Sequence, residues 1–374
     1  MRALPKFVTL YAAMYAAYGV ASPFLPAFVS ERGLSPEQLG LALALGTGVR
    51  LVSAPLAGRI GDFLQGLRVM LVVSIAAAAF ATLGYLWARG FWMVLAVMLL
   101  HAWTLAPMTV LADALALGAR SFEYGRVRGT GSAAFILGTL VSGQAIGAFG
   151  LEVIIPLQAL LLGAAGLAAV RVPELKHDRL LKAARPSGVA ELLRIARYRN
   201  LVLVAALVLG SHAMHDVFAV IRWSAAGISP VASSLLWSEA VAAEVIVFFL
   251  VGPALVSRLA PAGAMALAAA AGMVRWTVMA QTTDVLALAL VQPLHGFTFA
   301  LLHLACMRLL LRIVPSGLEG TAQALYATVG VGAASALLTL ASGTLYGRLG
   351  AEAFWFMAAL CAVALPLTLK LRGA

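Results

Sequence analysis

Long apolar segments follow one another along the whole chain of 374 residues, and only short polar loops separate them. Mean hydropathy is +0.98, 63% of the residues are hydrophobic and 11% are charged, which is too little polar surface to cover a water-soluble globule. The chain is therefore expected to lie in a lipid bilayer. Lipid offers the backbone no hydrogen-bond partners, so spanning segments must be helices or a closed barrel, and runs without strand-like alternation predict helices.

The apolar segments predict an all-α membrane protein with about twelve spans. The predicted spans cover residues 6–29, 37–58, 68–88, 91–113, 124–148, 151–170, 200–222, 231–256, 262–281, 285–311, 318–346 and 352–370.

One sequence pattern occurs twice, once near the end of each half of the chain. Residues 142–152 and 342–352 both read S-G-x-x-x-G-x-x-G-x-E, and the tetrapeptide Gly-x-Ser-Pro begins at both Gly33 and Gly227. Two copies of one fold thus follow each other, an arrangement typical of transporters built from two parallel six-helix repeats. We predict bundles over 1–170 and 200–374, joined by a linker over 171–199.

Basic residues account for the net charge of +11. They fall on alternate loops, as the positive-inside rule requires of cytoplasmic segments, so nucleic acid is not an expected partner. The predicted linker is the richest in cations, which places it and both termini in the cytoplasm of a bacterial inner-membrane protein. The linker cations are Arg171, Lys176, Arg179, Lys182, Arg185, Arg194, Arg197 and Arg199.

Several motifs resemble those of a known transporter group. The loop from Gly58 to Arg68, with Asp62 four residues after the glycine, resembles the cytoplasmic signature of the major facilitator superfamily. Other segments together resemble the phenylpropionate permease family: Tyr124-Gly125-Arg126-Val127-Arg128, Ala243-Glu244-Val245, Val274-Arg275-Trp276, Gln292, His295-Gly296 and Thr298-Phe299.

This resemblance implies the major facilitator fold, with twelve helices in two pseudo-symmetric six-helix bundles. It also implies proton-coupled uptake of a small organic anion such as an aromatic carboxylate. It implies a small-molecule substrate, no bound cofactor, H+ as the coupling ion, the lipid bilayer as surroundings and a monomeric protein without enzyme activity.

Charged residues inside the predicted spans are candidates for function, because a charge at the bilayer centre costs roughly 2.5–3.5 kcal/mol unless it is paired or hydrated. Arg50 and Glu244 lie at equivalent depths of the two repeats, each about 21 Å along its helix. Arg50 is predicted to hold a carboxylate, and Glu244 to carry the coupled proton. The alternative is that each belongs to a separate structural ion pair.

Glu239 is rotated by about 140° from Glu244 around the same helix, so the two acids are expected to act differently. Arg275, on the next helix, lies at a depth that suits either glutamate. We predict an ion pair between Arg275 and a glutamate that braces the second half, with direct substrate contact as the alternative.

Histidines in the second half suggest a route for protons. His212 and Asp216 are four residues apart and hence on one helix face, a spacing that resembles a proton relay. His295, near the middle of its span, is predicted to join it, because histidine is the side chain that can change its charge at physiological pH. Metal binding is the rival interpretation, but this face lacks a compact third ligand.

Two further sets of residues complete the predicted site. Asp113 is expected to lie opposite Arg126 and Arg128 and, with Asp62, to form a cytoplasmic gate; the alternative is loop stabilisation alone. Tyr15 lies in an aromatic stripe with Tyr11 and Tyr18 on the first span, which can line a cavity or simply pack against a neighbouring helix.

The sequence leaves the substrate and the direction of transport open. Symport of a sugar or nucleoside with protons, and efflux of a hydrophobic drug by proton antiport, are the alternatives to uptake of an aromatic acid. A built-in ATP motor is not expected, because the chain carries no G-x-x-x-x-G-K-[ST] loop.

Overall fold

The computed structural model describes residues 3–119, 122–174 and 188–372, and this part of the chain contains helices and no strands. The linker cations Lys176, Arg179, Lys182 and Arg185 lie outside the described residues. The helices of the first half are α1 (Leu4–Ala21), α2 (Leu25–Glu31), α3 (Pro36–Phe63), α4 (Leu67–Gly84), α5 (Gly90–Gly118), α6 (Tyr124–Phe149) and α7 (Ile154–Val170).

The second half contains more interruptions than the first. Its helices are α8 (Gly188–Arg194), α9 (Ala196–Gly210), α10 (Ala213–Ala225), α11 (Pro230–Ile246), α12 (Gly252–Gln281), α13 (Val285–Val291), α14 (Leu302–Ile313), α15 (Glu319–Leu325), α16 (Ala334–Leu349) and α17 (Phe354–Leu369). Segments with π-helical hydrogen bonding join several of them: Val247–Val251, Phe297–Leu301 and Tyr326–Ala333.

The described helices agree with the predicted number of spans. Nine helical segments are long and apolar enough to cross a membrane, and the bent pair α1 and α2 makes a tenth. Two of the nine, Pro230–Gln281 and Glu319–Leu369, contain 52 and 51 residues, about twice the length that one crossing needs. Counting each of these as two spans gives the predicted twelve. Each of these two long segments contains a residue with a positive φ angle, Ala260 (57°) in the first and Gly350 (56°) in the second.

The duplicated tetrapeptide forms the same helix start in both halves. Gly33 and Gly227 have φ values of 93° and 84°, in the left-handed region that glycine adopts without a steric penalty. The following serines cap the helices: Ser35 Oγ accepts the Gln38 N–H at 3.3 Å, and Ser229 Oγ accepts the Ala232 N–H at 3.2 Å. Proline then occupies the first helical position, where its missing N–H costs nothing.

Contacts between helices divide the chain into two compact units. Unit 1 contains the described residues up to 174 together with Gly227–Leu235, and unit 2 contains 188–226 and the chain from Leu236 onward. The sequence-based boundaries, 1–170 and 200–374, stay a prediction because much of the linker lies outside the described residues.

Small residues bring α1 and α6 of unit 1 into close contact. A side chain at Gly19 would lie 2.0 Å from the Phe135 carbonyl oxygen, and one at Gly138 would lie 2.4 Å from that of Ala16. The Thr139 hydroxyl donates to the Gly19 carbonyl at 2.9 Å across the same contact. Membrane helices associate mainly through such packing, because lipid is as apolar as their side chains.

Candidate functional site

In unit 1, three tyrosines of α1 form the predicted aromatic stripe. Tyr11 and Tyr15 stack with ring centroids 5.7 Å apart, and Tyr15 meets Tyr18 edge to face at 5.5 Å. The Tyr18 hydroxyl lies 3.2 Å from the Thr109 hydroxyl on α5. Tyr11 is fully buried, whereas Tyr15 and Tyr18 are half-buried. The stripe therefore packs against α5 and also keeps part of its surface accessible.

Arg50 is exposed on α3, and within the described residues no carboxylate lies within ion-pairing distance of it. Three aromatic side chains of unit 1 lie near it: Tyr18, Tyr85 and His101. Tyr85 and His101 are themselves buried and share a hydrogen bond of 3.4 Å. Arg50 is thus an accessible guanidinium with aromatic side chains nearby.

The predicted gate residues are connected through tyrosines instead of by direct ion pairs. The Tyr11 hydroxyl donates to the Asp113 carboxylate, and the Arg128 guanidinium donates to the Tyr15 hydroxyl. Over the described ranges, no ion pair within 4.0 Å joins Asp113 to Arg126 or Arg128, and the gate stays a prediction.

The remaining gate residues lie at the ends of two helices. Arg126 is exposed on the first turn of α6, and Asp62 is half-buried in the last turn of α3.

In unit 2, Arg275 lies at the centre of a buried polar cluster. It is 0% exposed, and its guanidinium donates to Gln292 Oε1 at 2.7 Å, to His295 Nδ1 at 3.1 Å and to His215 Nε2 at 3.3 Å. The guanidinium also lies 4.5 Å from the ring centroid of Trp276. In the part of the chain that the structure describes, it has no carboxylate within 4.0 Å, so the predicted ion pair with a glutamate is wrong.

His295 lies between Arg275 and Glu244. Its Nε2 atom is 3.4 Å from Glu244 Oε2, and the exposed fractions of the two side chains are 15% and 30%. A guanidinium can only donate, so Nδ1 of His295 must present a lone pair and the proton of a neutral ring resides on Nε2. The Nε2–H therefore faces Glu244, and the imidazole lies between the guanidinium and the carboxylate. Glu244 and Arg275 make no direct ion pair among the described residues.

Glu239, the other glutamate of α11, is half-buried and bonds to none of these cluster members.

In the structure, the two residues of the predicted relay, His212 and Asp216, each have another partner. The helix is interrupted between α9 and α10 at Ser211 and His212, and the His212 ring packs at 5.3 Å from Trp276 and 5.0 Å from His295. Asp216 instead pairs with His215, whose Nδ1 lies 3.2 Å from Oδ1 of the aspartate. Pairing of His212 with Asp216 is therefore wrong.

His215 and Gln292 are the residues to which sequence reasoning gave no role. His215 also stacks on Trp237 with ring centroids 4.8 Å apart. The feature of the sequence that could have indicated these two residues is the occurrence of several His, Gln and Trp residues in spans that are otherwise apolar. Among the described residues, no group of three His, Cys, Asp or Glu side chains is arranged to hold a metal ion.

Solved transporter structures share the fold of this chain. The nucleoside transporter NupG superposes with a TM-score of 0.87 at 14% identity, covering all of both chains. The peptide transporter PepTSo, of the POT family, gives 0.74 at 12% identity over 99% of this chain and 97% of that one. At these identities the likeness concerns the fold alone, which is that of transporters of the major facilitator class.

The sequence comparisons place the chain within this class. The model of the MFS_1 like family matches residues 5–358, and the chain belongs to that family. It is 33% identical to the probable 3-phenylpropionic acid transporter of Escherichia coli (strain K12), over 95% of this chain and 94% of that protein. The maltose permease of Geobacillus stearothermophilus is 24% identical over 98% of this chain and 93% of the permease. The protein is therefore a multi-pass membrane transporter of a small molecule and not an enzyme.

Proposed function

We propose that this protein imports a small aromatic carboxylate together with a proton across the bacterial inner membrane, by exposing its binding residues alternately to the two sides. The observation that carries the proposal is the accessible Arg50 guanidinium, which has no carboxylate partner among the described residues. An arginine inside a span is costly unless an anion or water compensates it. A substrate carboxylate is such an anion.

The surroundings of Arg50 suit the aromatic part of the substrate. Tyr18 and Tyr85 lie near Arg50, and Tyr15 lies edge to face against Tyr18. Aromatic rings favour stacked or edge-to-face contacts with other rings. The relative that is 33% identical is a probable transporter of 3-phenylpropionic acid, which combines one phenyl ring with one carboxylate.

The proton is assigned to unit 2. Glu244 is partly accessible and lies 3.4 Å from His295, which accepts from the buried Arg275, so Glu244 can take up a proton from water close to that charge. A protonated Glu244 neutralises one charge of a buried cluster, and this favours movement of the unit through the low-dielectric part of the membrane. Release of the proton on the cytoplasmic side restores the charge.

The network of Asp113, Tyr11, Tyr15 and Arg128 supports a gate on the cytoplasmic side. A gate needs bonds that break at modest cost, and single hydrogen bonds to tyrosine hydroxyls meet this requirement. The proposed topology, with both termini and the linker in the cytoplasm, follows the distribution of arginine and lysine. We further propose that the protein acts as a monomer without a bound cofactor.

A reconstituted transport assay tests this function. Purified protein is placed in liposomes that contain a pH-sensitive dye, and 3-phenylpropionate is added outside under an imposed pH gradient. We expect lumenal acidification that depends on the carboxylate. Replacing Arg50 with Gln should abolish it, whereas Arg258→Gln, at an exposed arginine of α12, should behave as wild type. Equal rates in Arg50→Gln and wild type would contradict the assignment of Arg50.

Neutral substrates are the second candidate, because NupG is a nucleoside transporter and one relative is a maltose permease. The same liposomes distinguish them. Acidification with maltose or a nucleoside, but not with 3-phenylpropionate, would favour sugar or nucleoside symport. Acidification with none of them, combined with proton-driven export of a hydrophobic dye, would favour drug antiport.

A further inference from the structure

Five side chains of unit 2 form one continuous line of polar contacts. Asp216 pairs with His215 at 3.2 Å, His215 accepts from Arg275 at 3.3 Å, Arg275 donates to His295 at 3.1 Å, and His295 pairs with Glu244 at 3.4 Å. The line is symmetric about its centre, since a carboxylate and an imidazole stand on each side of one guanidinium. Proton coupling through Glu244 uses only one of these sides.

Hydrogen-bond chemistry fixes the state of both imidazoles. Arginine carries donors and no acceptor, so His215 must present a lone pair at Nε2 and His295 one at Nδ1. Each neutral ring then keeps its proton on the nitrogen that faces its own carboxylate. Both histidines are therefore uncharged while Arg275 holds them, and a coupling proton must bind to a carboxylate.

Counting charges along the line leaves one negative charge uncompensated. Asp216 and Glu244 contribute two negative charges when ionised, Arg275 contributes one positive charge, and the neutral imidazoles contribute none. Arg275 is fully buried and His215 is 3% exposed, so the centre of the line has little water to screen it. One proton, on either acid, makes the whole line electroneutral.

We propose that Asp216, paired with His215, is a second binding position for the coupling proton, and that Arg275 links it to the Glu244 position so that the two share one proton. The proposal rests on the proton-coupled transport proposed above and adds a position to it. Asp216 is suited to exchange with water because its side chain is 59% exposed. No proton passes through the guanidinium; a proton that binds to one acid cancels that charge, and the other acid then balances Arg275.

Other titratable groups lie near this line of side chains but are not part of it. His212 packs against His295 and Trp276, and its Nε2 has no hydrogen-bond partner among the described residues. His303 lies near Glu244 and shares a hydrogen bond with Tyr326 at 3.4 Å. Cys361 lies near Arg275 and donates to Ser211 Oγ at 3.4 Å. None of these three neighbours adds a carboxylate to the line.

The test measures 3-phenylpropionate accumulation under a pH gradient and, separately, exchange of the labelled substrate at equal pH. Asp216→Asn removes one carboxylate, so the line is neutral without a proton. We expect accumulation to fall about tenfold and exchange to fall much less. Glu352→Gln, at an exposed glutamate of unit 2, is the matched control and should match wild type in both assays.

Two further variants, Glu244→Gln and the double variant Asp216→Asn/Glu244→Gln, complete a double-mutant cycle. Glu244→Gln alone should also uncouple accumulation. The double variant leaves the charge of Arg275 unbalanced, so its exchange should fall further than the product of the two single effects. Effects on exchange that simply multiply would overturn the link through Arg275.

Two outcomes separate this inference from the proposed function. Wild-type accumulation in Asp216→Asn, with Glu244→Gln uncoupled, overturns the second position and leaves the proposed function intact. Wild-type accumulation in Glu244→Gln overturns the proposed proton assignment itself. If Asp216→Asn does not fold, Asp216→Glu replaces it: a second proton position predicts a pH profile of accumulation displaced by about 0.4 units toward higher pH, the intrinsic difference between the two acids. A profile superimposable on that of wild type would overturn the position.

Discussion

Nε2 of His295 lies 3.4 Å from Oε2 of Glu244, while Nδ1 of the same ring accepts a hydrogen bond from Arg275 at 3.1 Å. One imidazole thus separates a partly accessible acid from a fully buried guanidinium. The arrangement keeps the charge of Arg275 away from bulk water and still places it one imidazole away from Glu244. It explains how one arginine can be tolerated inside the membrane, and in the proposed mechanism it lets Arg275 respond to the protonation of Glu244.

Replacing Arg275 with Ala should lower the folded yield more than it lowers substrate affinity. The change removes the donor to His215, Gln292 and His295 and opens a cavity, a loss of about 3–5 kcal/mol for a buried charged network. Fluorescence-detected gel filtration measures the yield, and binding of 3-phenylpropionate to the folded fraction measures affinity. Arg258→Ala is the control. Normal yield with lost binding would instead place Arg275 in contact with substrate.

Replacing Gly138 with Val should destabilise unit 1 by about 1–3 kcal/mol, as overpacking does in other cores. The added Cβ would lie 2.4 Å from the carbonyl oxygen of Ala16, a backbone atom that cannot rotate away. Gly163→Ala on α7 is the matched control, since nothing lies within 4 Å of that Cβ. The Tm of the purified protein in detergent measures both changes, and equal Tm values would contradict the close contact between α1 and α6.

Replacing Tyr11 with Phe should cost about 1–3 kcal/mol of stability, because Asp113 loses a donor beside a fully buried ring. The transport rate should change as well if this bond belongs to a gate. Tyr346→Phe is the control, since the Tyr346 ring stacks on Phe218 and its hydroxyl has no hydrogen-bond partner among the described residues. A change in Tm without any change in transport rate would assign the bond to stability alone.

The glutamates that end the two copies of the repeat should differ in their contribution to stability. Glu152 accepts from Arg32 at 2.7 Å, and the arginine side chain is only 6% exposed, whereas Glu352 is exposed and has no partner side chain among the described residues. Glu152→Gln should therefore cost up to about 1 kcal/mol, less at high salt, and Glu352→Gln almost nothing. Thermal unfolding at low and high ionic strength compares them. Identical curves for the two variants would show that the pair contributes nothing.

The fold could be predicted closely from the sequence. Backbone hydrogen bonds in lipid must be made within each segment, so segment length and hydropathy suffice to predict twelve spans. The repeat could also be recognised from the sequence, because Gly33 and Gly227 each adopt a left-handed conformation before a capping serine and a proline. Local conformations of this kind depend on residues that are neighbours in the chain.

Side-chain partners were decided by the tertiary structure. Helical spacing placed His212 and Asp216 on one face, but the helix is interrupted at His212, and Asp216 pairs with His215 instead. Charge alone suggested a glutamate for Arg275, yet its bonds go to two histidines and Gln292. The reason is geometric: sequence spacing gives the direction of a side chain around its own helix, whereas its partner depends on the packing and rotation of other helices. The sequence by itself thus determined the membrane class, the number of spans and the polar residues available, and only the tertiary structure decided which of them meet.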